Sequence, residues 1–210
     1  MQNYLTERDI THLKQHKYVG GSYTYLDNAM NHFWYFCLNF VPMWLPANAI
    51  TFIGNLGYNL VIVLATLSDP SCQTEQPRWV YFLIAFAIFF YQTMDALDGK
   101  QARRTKTSSP LGQLVDHGCD CVSTTFFNYN ALAFFAAGGD SFTVYMCFIG
   151  LITVFYMANW AERFTGVLVT SQYGFGVTEV QFLYMLLNIL TGIYGTGIWQ
   201  YEVLGKLNRF

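Results

Sequence analysis

Five long segments without a charged side chain constrain this chain more than any other feature of its sequence. They cover residues 47–67, 79–94, 121–139, 141–161 and 180–201. A helix that crosses a bilayer needs about 20 mostly apolar residues. Only 11% of the 210 residues are charged, against about 25% in an ordinary soluble domain. The pattern predicts an all-α, polytopic membrane helix bundle with about five transmembrane helices.

The region before the first apolar segment has a different character. Residues 28–41 are rich in Phe, Trp and Tyr, and aromatic side chains favour the boundary between water and lipid. We therefore expect an interfacial amphipathic helix there. Residues 5–17 are polar and predict a short helix with Thr6 as its N-cap. The predicted division is 1–46 for the polar and interfacial helices and 47–210 for the transmembrane domain.

The positive charges predict the orientation of the bundle. Four cationic side chains lie in the loop 99–110, whereas the loop 68–78 holds only Arg78. Because cytosolic loops carry an excess of Lys and Arg, the first of these loops is expected in the cytosol. Arg104 and Lys106 are interpreted as this topology signal alone. The net charge of −2 gives no indication of nucleic acid as a partner.

Four aspartates stand where the second and third apolar segments meet this loop. Asp95 and Asp98 are three residues apart, and Asp116 and Asp120 are four apart, so each pair lies on one helical face. A short loop makes the two helices antiparallel neighbours, which brings both pairs to the same depth. Converging carboxylates repel one another unless cations bind them. Oxygen ligands suit Mg²⁺, Mn²⁺ or Ca²⁺ rather than zinc, and four of them fit two ions that clamp a phosphate ester or pyrophosphate.

Small and cationic residues surround the aspartates. Gly99 and Gly112 have no Cβ, and Ala102 has a small side chain, so a ligand can approach closely there. Arg103 offers a planar fork for phosphate oxygens, and Lys100 a movable point charge. Together with two metal ions, these residues indicate a nucleotide diphosphate site at the membrane surface.

The stretch from Asp95 to Asp120 has the pattern D-x2-D-G-x2-A-R-x8-G-x3-D-x3-D. At every fixed position it resembles the signature of the CDP-alcohol phosphotransferase family. The residues around it are similar to the eukaryotic choline/ethanolamine phosphotransferase branch, as are residues 16–18, 44–51 and 177–179. The resemblance covers nearly the whole chain and identifies 47–210 as a CDP-alcohol phosphotransferase transmembrane domain.

The resemblance implies a reaction and a membrane. A diacylglycerol hydroxyl attacks the phosphorus next to the choline or ethanolamine of a CDP-alcohol, which releases CMP and forms phosphatidylcholine or phosphatidylethanolamine. The reaction places the protein in the endoplasmic reticulum or Golgi membrane, with the mitochondrial membrane as the alternative.

The resemblance also assigns roles to residues. The expected ligands of two Mg²⁺ or Mn²⁺ ions are Asp95, Asp98, Asp116 and Asp120, with Asp120 also the general base. The residues expected to line the CDP pocket are Gly99, Ala102, Arg103 and Gly112.

Two further residues have alternative interpretations. His117 is a second candidate for the base, because its ordinary pKa of about 6.5 suits proton transfer near neutral pH; alternatively it orients a neighbouring group. Glu179 is a candidate substrate contact, or it simply lies beside a helix N-cap and needs no further function.

The number of apolar segments departs from the family pattern. Catalytic cores of the family have six spans, and five are visible here, so the domain is expected to be short at its C-terminus. We expect another polypeptide or a second copy to cover the third to fifth spans. The competing hypothesis is a truncated family member that acts as a structural subunit of a larger membrane complex. A divalent-cation transporter fits less well, because the acids lie at helix ends rather than mid-membrane.

Overall fold

The computed structural model describes residues 6–15, 18–139 and 141–199 of the chain. These residues form a helical bundle with one small hairpin. The elements in chain order are α1 (Glu7–Gln15), α2 (Tyr25–Leu38), α3 (Ala47–Ser68), α4 (Arg78–Thr105), α5 (Pro110–Phe135), α6 (Ser141–Thr165), β1 (Ser171–Gln172), β2 (Phe175–Gly176), α7 (Val177–Tyr194) and a 3₁₀ turn (Thr196–Trp199). The all-α prediction is confirmed.

Among the described residues, four helices are long and apolar enough to cross a membrane, which makes this an integral membrane protein. Their candidate spans are Ala47–Ser68, Arg78–Thr105, Val144–Thr165 and Val177–Tyr194. The remaining predicted span, 121–139, corresponds to α5, which has 26 residues and is about 39 Å long. Buried polar side chains, including Ser123, Asn128 and Asn130, make α5 less apolar than the other four.

Helix α1 begins where the sequence predicts, whereas α2 (Tyr25–Leu38) begins and ends three residues before the predicted range 28–41 because Thr24 caps it. The Thr6 hydroxyl accepts a hydrogen bond from the Asp9 amide, and the Asp9 carboxylate accepts one from the Thr6 amide, so Thr6 is the N-cap of α1. Thr24 and Asp27 form the same reciprocal pair at the start of α2. The predicted ends of the first helix, residues 5 and 16–17, lie outside the described residues.

Helix α4 is the centre of the bundle and packs against α2, α3 and α7. Gly54 and Gly57 let α3 come close to it, because a Cβ at Gly54 would lie 2.5 Å from the Met94 Cβ, and one at Gly57 would lie 3.0 Å from the Phe90 ring. Small residues at a helix interface permit this approach in membranes. Behind these contacts lies the main apolar core, which includes Tyr58 and Phe127.

Helix α6 lies at the periphery. It packs against α5, and none of the described residues in its most apolar stretch is buried. Exposed apolar side chains are expected where a helix faces lipid, since hydrocarbon tails are as apolar as the side chains. Two hydrogen bonds then join the loop after α6 to the N-terminal segment, from the Gly21 amide to the Leu168 carbonyl and from the Leu168 amide to the Val19 carbonyl.

The bundle has two ends with different connections. We call the end where α4 meets α5 the motif end, because it carries residues 95–120, and the end with the loop 69–77 the opposite end. At the motif end, the buried Gln101 amide donates to the Pro42 and Leu45 carbonyls. These bonds fix the segment between α2 and α3 against α4.

Candidate functional site

A tight turn between α4 and α5 positions the aspartates. Lys106 ends α4 in the left-handed region at φ 59°, and the Thr107 amide reaches back to the Ala102 carbonyl, an arrangement that stops a helix. Three residues later the Ser109 hydroxyl accepts from the Gly112 amide, and Pro110 occupies the first turn of α5. The chain therefore reverses direction within a few residues, which brings the aspartate-bearing ends of α4 and α5 to the same end of the bundle.

Three of the four carboxylates form one cluster. Asp95, Asp98 and Asp116 each offer an oxygen within 4.8 Å of the others. Asp98 is only 5% exposed. Among the described residues, Asp116 Oδ1 is buried without a hydrogen-bond partner. A buried carboxylate oxygen with no donor is costly unless a cation completes its surroundings.

Asp120 stands slightly apart from this cluster. It is close enough for its charge to act on Asp95 and Asp98, but the three-residue cluster does not include it. Instead its Oδ1 accepts a hydrogen bond of 2.6 Å from the Tyr91 hydroxyl. Asp98 has a similar donor, because the Thr51 hydroxyl of α3 donates to its Oδ2 at 2.5 Å.

The cluster fits a divalent metal ion by its chemistry. Its ligand atoms are carboxylate oxygens, which suit hard cations such as Mg²⁺ and Mn²⁺. Among the described residues, an ion pair joins Arg78 and Glu75 at the opposite end of the bundle. None of the described lysines or arginines forms an ion pair with the aspartate cluster. The orphaned oxygen of Asp116 gives a cation a direct ligand.

The predicted substrate residues lie around the cluster in different environments. Arg103 is exposed, and its guanidinium lies over Gly99, 3.4 Å from where a Cβ would stand. Ala102 is half-buried on the same helix. A Cβ at Gly112 would make only ordinary contacts, with Ser109 and with Asn48 of α3. Gly112 therefore lies against Ser109 and Asn48 without strain, and the Arg103 guanidinium is exposed beside Gly99.

Lys100 departs from the expectation of a movable charge. Its side chain is buried, and its Nζ lies 4.8 Å from the centre of the Trp34 ring and 5.4 Å from that of Tyr35. Both rings belong to α2, so the ammonium is held by cation–π contacts. Its role toward a substrate stays a prediction.

The two residues with alternative interpretations have different surroundings. His117 follows Asp116 directly, is half-buried, and is close enough to act electrostatically on Asp120. Glu179 lies in the first turn of α7, where its Oε2 accepts from the Gly176 amide at 2.8 Å. That contact caps α7 and explains Glu179 structurally; substrate binding by it stays a prediction.

A segment near the N-terminus borders the site. The Tyr18 ring lies edge-on to His117, with the ring centres 6.1 Å apart. Partial burial, together with the negative charges of Asp116 and Glu162, raises the pKa of Tyr18 to about 12. Tyr18 is thus a neutral phenol beside the carboxylates at physiological pH.

Sequence reasoning missed four residues that organise this end of the bundle. Thr51 and Tyr91 donate to site carboxylates, Gln101 fixes the segment before α3, and Arg104 donates to the Leu38 and Val41 carbonyls at the end of α2. The interpretation of Arg104 as a topology signal alone was therefore incomplete. The available signal was the presence of hydrogen-bonding side chains near or within apolar helices, where each needs a partner.

Comparison with known proteins identifies the family of the chain. The sequence profile of the CDP-alcohol phosphatidyltransferase family matches residues 44–205, which include all four aspartates and every helix from α3 to α7. The chain belongs to this family. Its members are transferases of phospholipid synthesis.

Individual relatives support the assignment. The chain is 42% identical to an uncharacterized CDP-alcohol phosphatidyltransferase class-I family protein of Dictyostelium discoideum, over 97% of this chain and 50% of that protein. It is 35% identical to cholinephosphotransferase 1 of Xenopus laevis, over 97% and 50%, and 38% identical to that of Gallus gallus, over 95% and 59%. The chain spans about half the length of the curated relatives it matches.

Proposed function

We propose that this protein transfers phosphocholine or phosphoethanolamine from a CDP-alcohol to diacylglycerol. The observation that carries the proposal is the convergence of Asp95, Asp98 and Asp116 with an orphaned Asp116 oxygen, inside the motif of a family that acts on CDP-alcohols. The products are CMP and phosphatidylcholine or phosphatidylethanolamine.

In this proposal the aspartates hold two Mg²⁺ or Mn²⁺ ions, with Asp120 completing the cluster through the oxygen that Tyr91 does not bond. When bound, the ions neutralise the pyrophosphate and stabilise CMP as a leaving group. The exposed Arg103 guanidinium closes onto the phosphate oxygens as a fork. Gly99, Ala102 and Gly112 leave room for the nucleotide.

The transfer is a single displacement at phosphorus. The diacylglycerol hydroxyl oxygen forms a bond to the phosphorus next to the alcohol, and the bond from that phosphorus to the bridging oxygen breaks. CMP leaves with the bridging oxygen. The proton of the hydroxyl passes to Asp120 or to His117, which lie within one turn of α5 of each other.

The position of the site at the end of membrane helices lets a lipid substrate approach it from the bilayer. The acceptor is a membrane lipid, so it reaches the motif end from the side, whereas the CDP-alcohol arrives from water. We place the protein in the endoplasmic reticulum or Golgi membrane, with the mitochondrial membrane as the alternative. A second copy or another chain beside α5, α6 and α7 stays a prediction.

The test is transfer by purified protein in detergent–lipid micelles. The protein is incubated with diacylglycerol, Mg²⁺ and radiolabelled CDP-choline or CDP-ethanolamine, and the lipid is extracted and counted. Labelled phospholipid from wild-type protein, absent with Asp98→Ala and absent with EDTA, supports the proposal. Mn²⁺ binding without transfer of either label would support the structural-subunit hypothesis instead.

A further inference from the structure

Among the described residues, Tyr91 donates a hydrogen bond from its hydroxyl to Asp120. It lies on α4, one turn before Asp95, and is 5% exposed. Its hydroxyl donates to Asp120 Oδ1 at 2.6 Å, which bridges α4 and α5 inside the bundle. A phenol hydrogen bond of this length to a carboxylate is strong, because one partner is charged.

The ring of Tyr91 is held firmly. It stacks on the Tyr58 ring, with the ring centres 5.6 Å apart and the ring planes at 27°. The centre of the Phe127 ring lies 6.1 Å from that of Tyr91. Tyr58, on α3, provides a comparison for the hydroxyl of Tyr91. It is a fully buried tyrosine in the same stack, yet its hydroxyl has no hydrogen-bond partner among the described residues.

We propose that Tyr91 is a positioning residue for Asp120, an inference that rests on the proposed metal-dependent transfer. The hydroxyl takes one carboxylate oxygen and leaves Oδ2 for the ion. It thereby fixes Asp120 as a ligand through a single oxygen and stops the side chain from turning away from the cluster. Groups that hydrogen-bond to metal ligands set their orientation, and their loss typically costs about 10- to 100-fold in metal affinity or activity.

A purely structural role predicts a different result. If the bond only satisfied two buried polar groups, its loss would lower stability and leave metal affinity unchanged. Metal affinity is therefore the readout that separates the two roles. Mn²⁺ is the probe, since its electron paramagnetic resonance signal in solution disappears when the ion binds.

The experiment compares Tyr91→Phe with Tyr58→Phe, which removes a matched hydroxyl from the same stack. Free Mn²⁺ is titrated into each protein in lipid nanodiscs, and thermal unfolding is followed in parallel. We expect Tyr91→Phe to weaken Mn²⁺ binding about 10-fold or more, and Tyr58→Phe to bind within about twofold of wild type. The effect of Tyr91→Phe should vanish in an Asp120→Ala background, because the residue it positions is gone.

The outcomes separate this inference from the proposed function. Wild-type Mn²⁺ affinity in Tyr91→Phe, while Asp120→Ala binds weakly, would overturn the positioning role and leave the metal site intact. An unfolded Tyr91→Phe would also overturn it, since the hydroxyl would then be structural. Equal Mn²⁺ binding by wild type, Asp116→Ala and Asp120→Ala would overturn the proposed metal site itself.

Discussion

Two ends of the same bundle treat buried carboxylates in opposite ways. At the opposite end, Asp69 follows α3, and its carboxylate accepts hydrogen bonds from the backbone amides and the hydroxyls of Ser71 and Thr74. These donors, the Ser71 hydroxyl foremost, lower the pKa of Asp69 to about 2. A single turn of chain thus satisfies this carboxylate without a cation.

At the motif end, the described donors are few. Thr51 supplies one hydroxyl to Asp98 and Tyr91 one to Asp120, while a buried oxygen of Asp116 has no partner among the described residues. Carboxylates that are crowded together and short of donors need positive charge from outside the chain. Burial of a carboxylate therefore does not by itself indicate a metal site. Burial without enough hydrogen-bond donors does.

The largest effect expected at the motif end comes from Asp120. Asp120→Asn should reduce transfer about 100-fold or more, with CDP-alcohol binding largely intact, because one amide oxygen can still ligate metal. Transfer and radioligand binding measure the two properties separately. Asp69→Asn is the matched carboxylate at the opposite end and should transfer at the wild-type rate.

His117→Ala sharpens the same test. If Asp120→Asn keeps near-native turnover while His117→Ala abolishes it, the general base is His117. If both variants lose turnover, Asp120 and His117 act together in proton transfer. The pH profile of the residual activity of each variant then shows which of the two groups accepts the proton.

Neighbouring arginines provide the next contrast. Arg103→Ala removes an exposed fork from the phosphates and should raise the KM for CDP-alcohol about 10- to 100-fold, since hydrogen bonds to charged groups contribute about 1.5–3 kcal/mol. Arg104→Ala instead removes the guanidinium donor from the Leu38 and Val41 carbonyls, although the Leu38 carbonyl keeps its bond from the Val41 amide. It should lower the Tm and leave KM near wild type. Reversed effects would show that Arg104, not Arg103, faces the nucleotide.

Thr51 should have a smaller effect on the site than Arg103 or Asp120. Thr51→Val removes the hydroxyl that orients Asp98 and should weaken Mn²⁺ binding a few-fold, since a neutral donor is lost from a carboxylate that keeps its position on α4. Thr93→Val is the control, because the Thr93 hydroxyl bonds only to the Phe89 carbonyl of its own helix in the described contacts. Equal Mn²⁺ affinity in both variants would remove Thr51 from the site.

The smallest effect concerns pH at the opposite end. Because the folded-state pKa of Asp69 is depressed from 3.8 to about 2, its ionised form stabilises the fold above the unfolded-state value, and this stabilisation is lost as pH falls through about 2. The Tm difference between wild type and Asp69→Asn should therefore be constant above pH 4–5 and shrink steadily below. A difference independent of pH would show that the donors do not act through charge.

The features that the sequence predicts are the local ones. The Thr6 cap, the turn between α4 and α5, and the placement of each aspartate pair on one helical face follow from spacings of three or four residues. The contacts that sequence reasoning missed join distant positions. Tyr91 meets Asp120 across 29 residues and Thr51 meets Asp98 across 47, and both depend on how neighbouring helices pack.

Helix packing also explains why the carboxylates of the site have different hydrogen-bond partners. The close approach of α3 to α4 at Gly54 brings Thr51, one turn earlier, onto Asp98. No periodicity in the chain specifies that register. The reduced apolar character of α5 has the same origin, because polar residues such as Ser123, Asn128 and Asn130 are buried inside the bundle. A prediction from hydropathy alone treats such a helix as equivalent to one that faces lipid.

Anomalous diffraction from crystals grown with Mn²⁺ tests most directly whether the motif-end carboxylates bind divalent ions. We predict anomalous peaks among the carboxylates of Asp95, Asp98, Asp116 and Asp120, two per chain, and none beside Asp69. Carboxylates that point to different places with no peak between them, or a peak at Asp69 alone, would contradict the account.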